Sequence, residues 1–322
     1  MRKLLVFCVV SVLFFSCKEK PKKASEKNIS IEFSKYSRQL SNGQIKRIDS
    51  FPSKFVRPRN VDVWLPDSYN SENRYAVLYM HDGQMLFDST QTWNKQEWKV
   101  DETVASLMAQ NKIKNTIVVA IWNHADIRHS DYFPNKPFES LGEKFKDSII
   151  NNVKRGSEPI FTEEINSDNY LKFIVDELKP VIDANFSTLK GPDNTVVLGS
   201  SMGGLISMYA ISEYPQVFGA AGCLSTHWIG IWTSENNPIP EAFFSYMSQN
   251  LPDPEIHKLY FDYGTETLDA SYIPYQYRVD EVLKAKGYAE LNYRNLKFEG
   301  ASHSENSWNK RLAVPLEFLL KK

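Results

Sequence analysis

This sequence predicts an α/β fold with a mainly parallel sheet covered by helices on both faces. Three observations carry that prediction. Short apolar runs rich in β-branched and aromatic residues recur at 74–80, 115–123, 194–200, 218–224, 258–264 and 292–298. Segments with helical spacing lie between them, most clearly at 169–185 and 275–286. Strands alternating with helices are the pattern of βαβ units, whose crossovers place a helix on each face of a parallel sheet. No internal repeat and no break demands a second domain, so a single unit from residue 29 to 322 is expected.

The chain has 322 residues, 42% hydrophobic and 24% charged, with a formal net charge of −1. That supplies one large core. A near-neutral balance argues against nucleic acid as the main partner. Residues 1–17 stand apart. Arg2 and Lys3 precede an apolar stretch from Leu4 to Phe15, too short to span a bilayer as a mature helix. A small residue, Ser16, then stands directly before Cys17. This pattern resembles the lipobox of bacterial lipoproteins, and cleavage there would leave Cys17 as the lipidated first residue. Residues 18–28 are polar, without apolar periodicity, and read as a tether from membrane to domain. These features predict a lipid-anchored protein of the cell envelope, on its periplasmic face or outer surface. Beyond Cys17 the only cysteine is Cys223, in an apolar run, where a buried thiol is expected.

In chain order, 44–67 suggests two or three strands, the last alternating from Asn60 and stopping at Pro66. The run ending at Met80 leads into His81-Asp82-Gly83-Gln84. A glycine just after a buried strand lets the backbone turn and present N–H groups. Residues 92–110 read as a loop entering a helix. The run ending at Asn123 leads into a polar loop with His124, Asp126, Arg128, His129, Asp131 and Tyr132. The histidine and aspartate spacing there matches no compact metal site, so no metal or other cofactor is expected. Arg128 and Tyr132 are candidates for substrate contact, as is Trp228 beyond the run 218–224. Residues 135–168 look like an insertion, and 169–185 like a helix kinked near Pro180. The last apolar run, 292–298, is followed by a polar loop with His303 and a final amphipathic helix.

The chemistry is organised around 194–210. A β-branched run ends in Gly199-Ser200-Ser201-Met202-Gly203, and an Ala/Met/Leu-rich segment follows. This is G-x-S-x-G between a strand and a helix, the context of a nucleophile elbow. Such a turn strains the serine backbone, and small residues two before and two after it avoid a clash. Ser201 is therefore the candidate nucleophile. The N–H of Met202, with that of Gly83 or Gln84, would form the oxyanion hole. In an α/β-hydrolase the triad runs serine, acid, histidine along the chain. His303 alone follows a final strand, so it is the candidate base. The acid belongs after the strand ending at Gly264, where Asp269 and Glu266 both qualify; Asp269 is favoured.

Together, His81-Asp82-Gly83-Gln84-Met85-Leu86-Phe87, the elbow Gly199–Gly204, and His303-Ser304-Glu305 with Trp308 and Arg311 resemble the bacterial esterase family of α/β-hydrolases. That family includes esterase D, feruloyl and acetylxylan esterases of carbohydrate esterase family 1, and enterobactin-type siderophore esterases. The resemblance implies carboxylic-ester hydrolysis through an acyl-enzyme, without a metal. Its substrates span polysaccharide acyl esters, siderophore lactones and small thioesters. An envelope anchor points to small-molecule or oligosaccharide esters, probed against two rivals: a siderophore esterase and a non-catalytic binding protein on the same fold.

Overall fold

The apolar runs become the strands of one sheet. The computed structural model describes residues 31–232 and 236–322, with Arg155 by its backbone alone. Its strands in chain order are β1 (Ser34–Tyr36), β2 (Gln44–Phe51), β3 (Arg59–Leu65), β4 (Ala76–Met80) and β5 (Thr116–Ile121). Then come β6 (Lys154–Arg155), β7 (Glu158–Pro159), β8 (Thr195–Ser200), β9 (Ala220–Leu224), β10 (Lys258–Gly264) and β11 (Tyr293–Phe298). β6 and β7 form a small separate hairpin. The other nine make one sheet in the order β1-β2-β3-β5-β4-β8-β9-β10-β11. The pairs β1–β2, β2–β3 and β3–β5 are antiparallel. Every pair from β5 to β11 is parallel. This is the mainly parallel sheet that the sequence predicts, with an antiparallel flank at the β1 side.

Residues of β4, β5, β8 and β9 are buried throughout. Alternation of side chains divides them between two cores. Val77, Tyr79, Val119 and Val197 enter the core on one face; Leu78, Met80, Val118 and Leu198 enter the other. Burying each such side chain contributes about 1.5–3 kcal/mol before entropy is counted. The helix Met202–Glu213 is buried from Met202 to Ser212. An all-round apolar helix of this kind fits only inside a large core, and it holds the elbow rigidly.

Two local expectations change in detail. The helix predicted at 169–185 is α-helical at Ser167–Lys172 and Lys179–Asn185, with a π-helical turn at Phe173–Leu178 between them. Pro180 has no N–H and its ring crowds the carbonyl four residues earlier, so the turn before it widens. The expected single C-terminal helix is two, Glu305–Arg311 and Ala313–Leu319. The insertion contains helices Asn135–Glu139 and Glu143–Asn152 besides the hairpin. Cys223 is buried. The signal segment 1–17, Cys17 and the tether 18–28 lie outside the described residues.

Candidate active site

Every candidate for chemistry sits beyond the C-terminal ends of the parallel strands, where α/β folds place their ligand sites. Ser201 follows β8. Its backbone has φ 57° and ψ −121°, a region sparsely populated by non-glycine residues that persists only when its surroundings enforce it. Here the Ser201 N–H donates to Leu224 O (2.9 Å), while its carbonyl accepts from the N–H groups of Gly204 (3.0 Å) and His227 (3.2 Å). A Cβ on Gly199 would lie 2.8 Å from the Gly203 carbonyl carbon, so only glycine fits there. Gly203 is different. A Cβ there would meet nothing nearer than 3.5 Å, at Asp82 Oδ2 and His81 Cβ, so the requirement for a small residue falls on the earlier position. That same contact places the loop after β4 beside the elbow.

On one side of Ser201, the loops after β10 and β11 interlock. The N–H groups of Thr265 and Glu266 both donate to Ala301 O at 3.0 Å, and the His303 N–H donates to Thr267 Oγ1 at 2.9 Å. This brings His303 Nδ1 to 2.6 Å from Asp269 Oδ1. The other carboxylate oxygen accepts from Ser225 Oγ at 2.5 Å and from the Gly264 N–H at 2.6 Å. Burial alone would raise the Asp269 carboxyl. The hydrogen bond and charge of His303, with the Ser225 and Gly264 donors, outweigh it and hold the carboxyl below its ordinary range. An Nδ1–H bound to a carboxylate leaves Nε2 as the basic nitrogen.

On the other side, Asp82 takes the left-handed conformation (φ 59°) and starts a 3₁₀ turn, Gly83–Met85. Its carboxylate is gripped bidentately by Arg128, Nε to Oδ1 at 2.8 Å and Nη2 to Oδ2 at 2.7 Å, and accepts from Asn123 Nδ2 at 2.5 Å. Burial opposes ionisation here too; the Arg128 charge and hydrogen bond, helped by Asn123, win and depress the Asp82 carboxyl. The first N–H groups of a helical turn have no partner within it. Those of Gly83 and Gln84, and that of Met202 at the start of its helix, are thus available to a developing oxyanion.

The structure pairs His303 with Asp269 and sets the loop that bears Gly83 and Gln84 against the elbow of Ser201 and Met202; it places the remaining candidates differently. Glu266 is exposed, and the bond to His303 goes to Asp269, three residues on, because the 3₁₀ segment Thr267–Tyr272 turns Asp269 inward. Trp228 is not a substrate contact. It is fully buried, packed on Phe244 and Phe261. Tyr132 is buried as well, with its ring against His81 and Tyr170 and its hydroxyl accepting from the Asp82 N–H at 3.3 Å. It supports the oxyanion loop from beneath. Arg128 keeps about a quarter of its side chain exposed (27%), so it alone of the three still faces the cleft, as the clamp on Asp82.

Two groups of residues escape sequence reasoning. The first is centred on Ser225, at φ 43° beyond β9. Its hydroxyl accepts from Trp308 Nε1 and Arg311 Nη2, both at 2.9 Å, while donating to Asp269. Arg311 is itself held by Asp262. Trp308 and Arg311 belong to the motif around His303, but nothing in the sequence says that they meet at a serine 83 and 86 residues earlier. The second is His227 with Tyr272, paired at 2.5 Å.

The chain is similar to known proteins in family and in fold. A sequence model of the family described as "Putative esterase" matches residues 53–319. An endo-1,4-beta-xylanase/feruloyl esterase of Xylanibacter ruminicola is 25% identical over 300 residues, covering 90% of this chain and 33% of its own length. The chain thus spans about a third of that relative. Among solved structures, a CE1 ferulic acid esterase from Anaeromyces mucronatus superposes with TM-score 0.59 at 17% identity, over 88% of this chain and 94% of the other. The enterobactin esterase FES of Shigella flexneri gives 0.57 at 16%, over 85% and 59%. These likenesses confirm the α/β-hydrolase fold.

Proposed function

This chain belongs to the esterase family, and from that premise we propose that Ser201, His303 and Asp269 form its catalytic triad. His303 Nε2 takes the Ser201 proton as Oγ attacks the ester carbonyl. The N–H of Met202, with that of Gly83 or Gln84, receives the negative carbonyl oxygen. The imidazolium, stabilised by Asp269, returns the proton to the departing alcohol. Water then attacks the acyl-enzyme, giving its proton to His303, which passes it to Ser201 Oγ. The observation that carries this reading is the 2.6 Å pair of His303 Nδ1 and Asp269 Oδ1 beside a serine held at φ 57°.

The substrates in this reading are acyl esters of polysaccharide or its fragments. The feruloyl esterase relative and the CE1 fold likeness support it. Lipidation at Cys17 would hold the enzyme at the cell envelope, where such esters arrive from outside. The fold likeness to an enterobactin esterase favours one second reading, a siderophore triester as substrate. A fragment from residue 29 should hydrolyse p-nitrophenyl acetate. Ser201→Ala should lower kcat by about 10⁴-fold or more while leaving the circular dichroism spectrum unchanged. Turnover near wild type in that variant would falsify the triad. Acetylated xylan, methyl ferulate and a catecholate triester, assayed side by side, separate the two substrate readings. Failure of a fluorophosphonate to label Ser201 in folded protein would instead favour the binding-protein reading.

A further inference from the structure

Asp269, His303 and the two backbone donors account for charge on the base and on the carbonyl oxygen. They leave a third reacting atom, Ser201 Oγ, without a dedicated partner when it carries charge. Oγ is the attacking atom in acylation and the leaving atom in deacylation, so it is partly anionic in both transition states. The molecule places a buried hydroxyl beside it. Tyr272, at the end of the 3₁₀ segment that carries Asp269, is fully buried. Its hydroxyl is near the Ser201 side chain: its partner His227 donates its backbone N–H to the Ser201 carbonyl oxygen at 3.2 Å, and the Tyr272 ring lies edge-on to His303 with centroids 5.9 Å apart.

Behind Tyr272 stands His227, only 2% exposed, with Nδ1 at 2.5 Å from the Tyr272 hydroxyl. The two hydrogens of this pair can be assigned by counting. His227 Nε2 is buried without a hydrogen-bond partner among the described residues. Were the proton on Nε2, a buried N–H would be orphaned and the Tyr272 hydrogen would be spent on Nδ1. With the proton on Nδ1, only a lone pair is left unmatched, which native structures tolerate better than an orphaned N–H. In that tautomer the donors run in one direction. His227 Nδ1–H donates to the Tyr272 oxygen, and Tyr272 O–H is free to donate to Ser201 Oγ. In the reaction Ser201 O–H gives its proton to His303 Nε2, while His303 Nδ1–H donates to Asp269. Burial, with the nearby His129, His303 and Arg128, also keeps His227 neutral, and burial keeps Tyr272 protonated.

We propose that Tyr272 is a further catalytic residue, donating a hydrogen bond to Ser201 Oγ as charge develops on it, and that His227 is the positioning residue that orients the Tyr272 hydroxyl. This rests on the esterase reading above. No proton is transferred by Tyr272: the Ser201 proton still travels through His303, and the Tyr272 O–H bond stays intact. The gain applies to both half-reactions, because Oγ carries partial negative charge as it attacks in acylation and as its bond to the acyl carbon breaks in deacylation, while its proton passes to and from His303.

The test is steady-state and burst kinetics with p-nitrophenyl acetate, whose good leaving group makes deacylation the slower half. Tyr272→Phe should lower kcat about 10- to 100-fold with KM changed less than about threefold, and a burst of p-nitrophenol near one equivalent should remain. His227→Leu should lose a similar factor. His227→Asn, whose amide can replace Nδ1–H, should recover most of it. The double variant Tyr272→Phe/His227→Leu should be no slower than Tyr272→Phe alone, because both changes remove one interaction. A wild-type kcat in Tyr272→Phe overturns the proposal, as do losses that multiply in the double variant. Should Tyr272→Phe melt before assay temperature, the contrast of His227→Asn with His227→Leu decides, equal activities overturning it. Ser201→Ala run in parallel keeps the two readings apart. If it is inactive while Tyr272→Phe is unimpaired, this inference fails alone; if it retains turnover, the esterase reading fails with it.

Discussion

Asp82 and Asp269 stand on opposite sides of the elbow, beyond β4 and β10, and have similar surroundings. Both are mostly buried, both are depressed in spite of burial, and both are tied down by several donors. They differ in the partner that secures their charge. Asp82 faces a guanidinium, which stays charged at every working pH. Asp269 faces an imidazole, which in the proposed triad gains and loses a proton during turnover. A carboxylate paired with arginine can only fix geometry. The same group paired with histidine is neutral–anionic at rest and becomes an ion pair when the base is protonated, so its stabilisation grows in the transition state. The difference assigns structural work to one side of the elbow and proton handling to the other.

Of the changes to these two carboxylates, Asp269→Asn should have the largest effect. It keeps the shape but lets the amide accept or donate wrongly at Nδ1, so the basic nitrogen no longer faces Ser201. We expect kcat to fall about 10³- to 10⁴-fold with p-nitrophenyl acetate and KM to change little. Glu266→Gln, three residues away and exposed, should stay within about twofold. If the two variants exchanged rank, the acid would be Glu266 and the observed pairing would be wrong for the working enzyme.

Asp82→Asn is the matching change on the other side. Asparagine tolerates the left-handed backbone, so the turn can survive, but Arg128 loses its counter-charge. The loop bearing Gly83 and Gln84 should loosen, with kcat/KM falling about 10- to 100-fold and Tm falling by several degrees near neutral pH. The pH dependence has a definite sign. The folded carboxyl is depressed, so its stabilisation is fully present above its unfolded value of about 3.8 and is lost as pH falls through the folded value. The Tm gap between wild type and variant should therefore shrink on acidification below about pH 4. A gap that is independent of pH down to 3 would mean that Asp82 contributes by shape alone.

How much of this was readable beforehand follows from where each signal resides. Ser201 is legible because strand, G-x-S-x-G and helix are contiguous, and His303 because it alone follows the last strand. Fold class is legible for the same reason: runs such as 195–200 and 116–121 are local. Asp269 and Glu266 could not be separated, since a 3₁₀ turn decides which of two carboxylates points inward. Trp228 was misread because an aromatic just past a strand end can face cleft or core, and only the packing of Phe244 and Phe261 settles it. Ser225, His227 and Tyr272 were invisible. Their roles arise from contacts between the loops after β9 and β10 and the C-terminal helix, which no short window contains.

Asp101 is a third carboxylate that sharpens the comparison, because it is buried like the others but is paired with no cation among the described residues. In the first turn of the helix Val100–Ala109, its Oδ2 accepts from the N–H groups of Ser41 (2.8 Å) and Asn42 (3.3 Å), while Oδ1 has no hydrogen-bond partner among the described residues. Burial and the adjacent Glu102 push it up to about 7, against two backbone donors that pull it down. The sign of its linkage is thus opposite to that of Asp82 and Asp269. Between its ordinary 3.8 and about 7 the folded protein holds a proton that the unfolded chain has lost, so its contribution to stability falls as pH rises through this window. Asp101→Asn keeps an acceptor for Ser41 and removes the titration. Relative to wild type, the variant should melt a few degrees higher at pH 8 and nearly together with it at pH 4, with no change in kcat because the residue is remote from Ser201. A variant that is less stable at pH 8 would show that the two backbone hydrogen bonds of an ionised Asp101 outweigh its burial, and that donors without a cation suffice to hold a buried carboxylate charged.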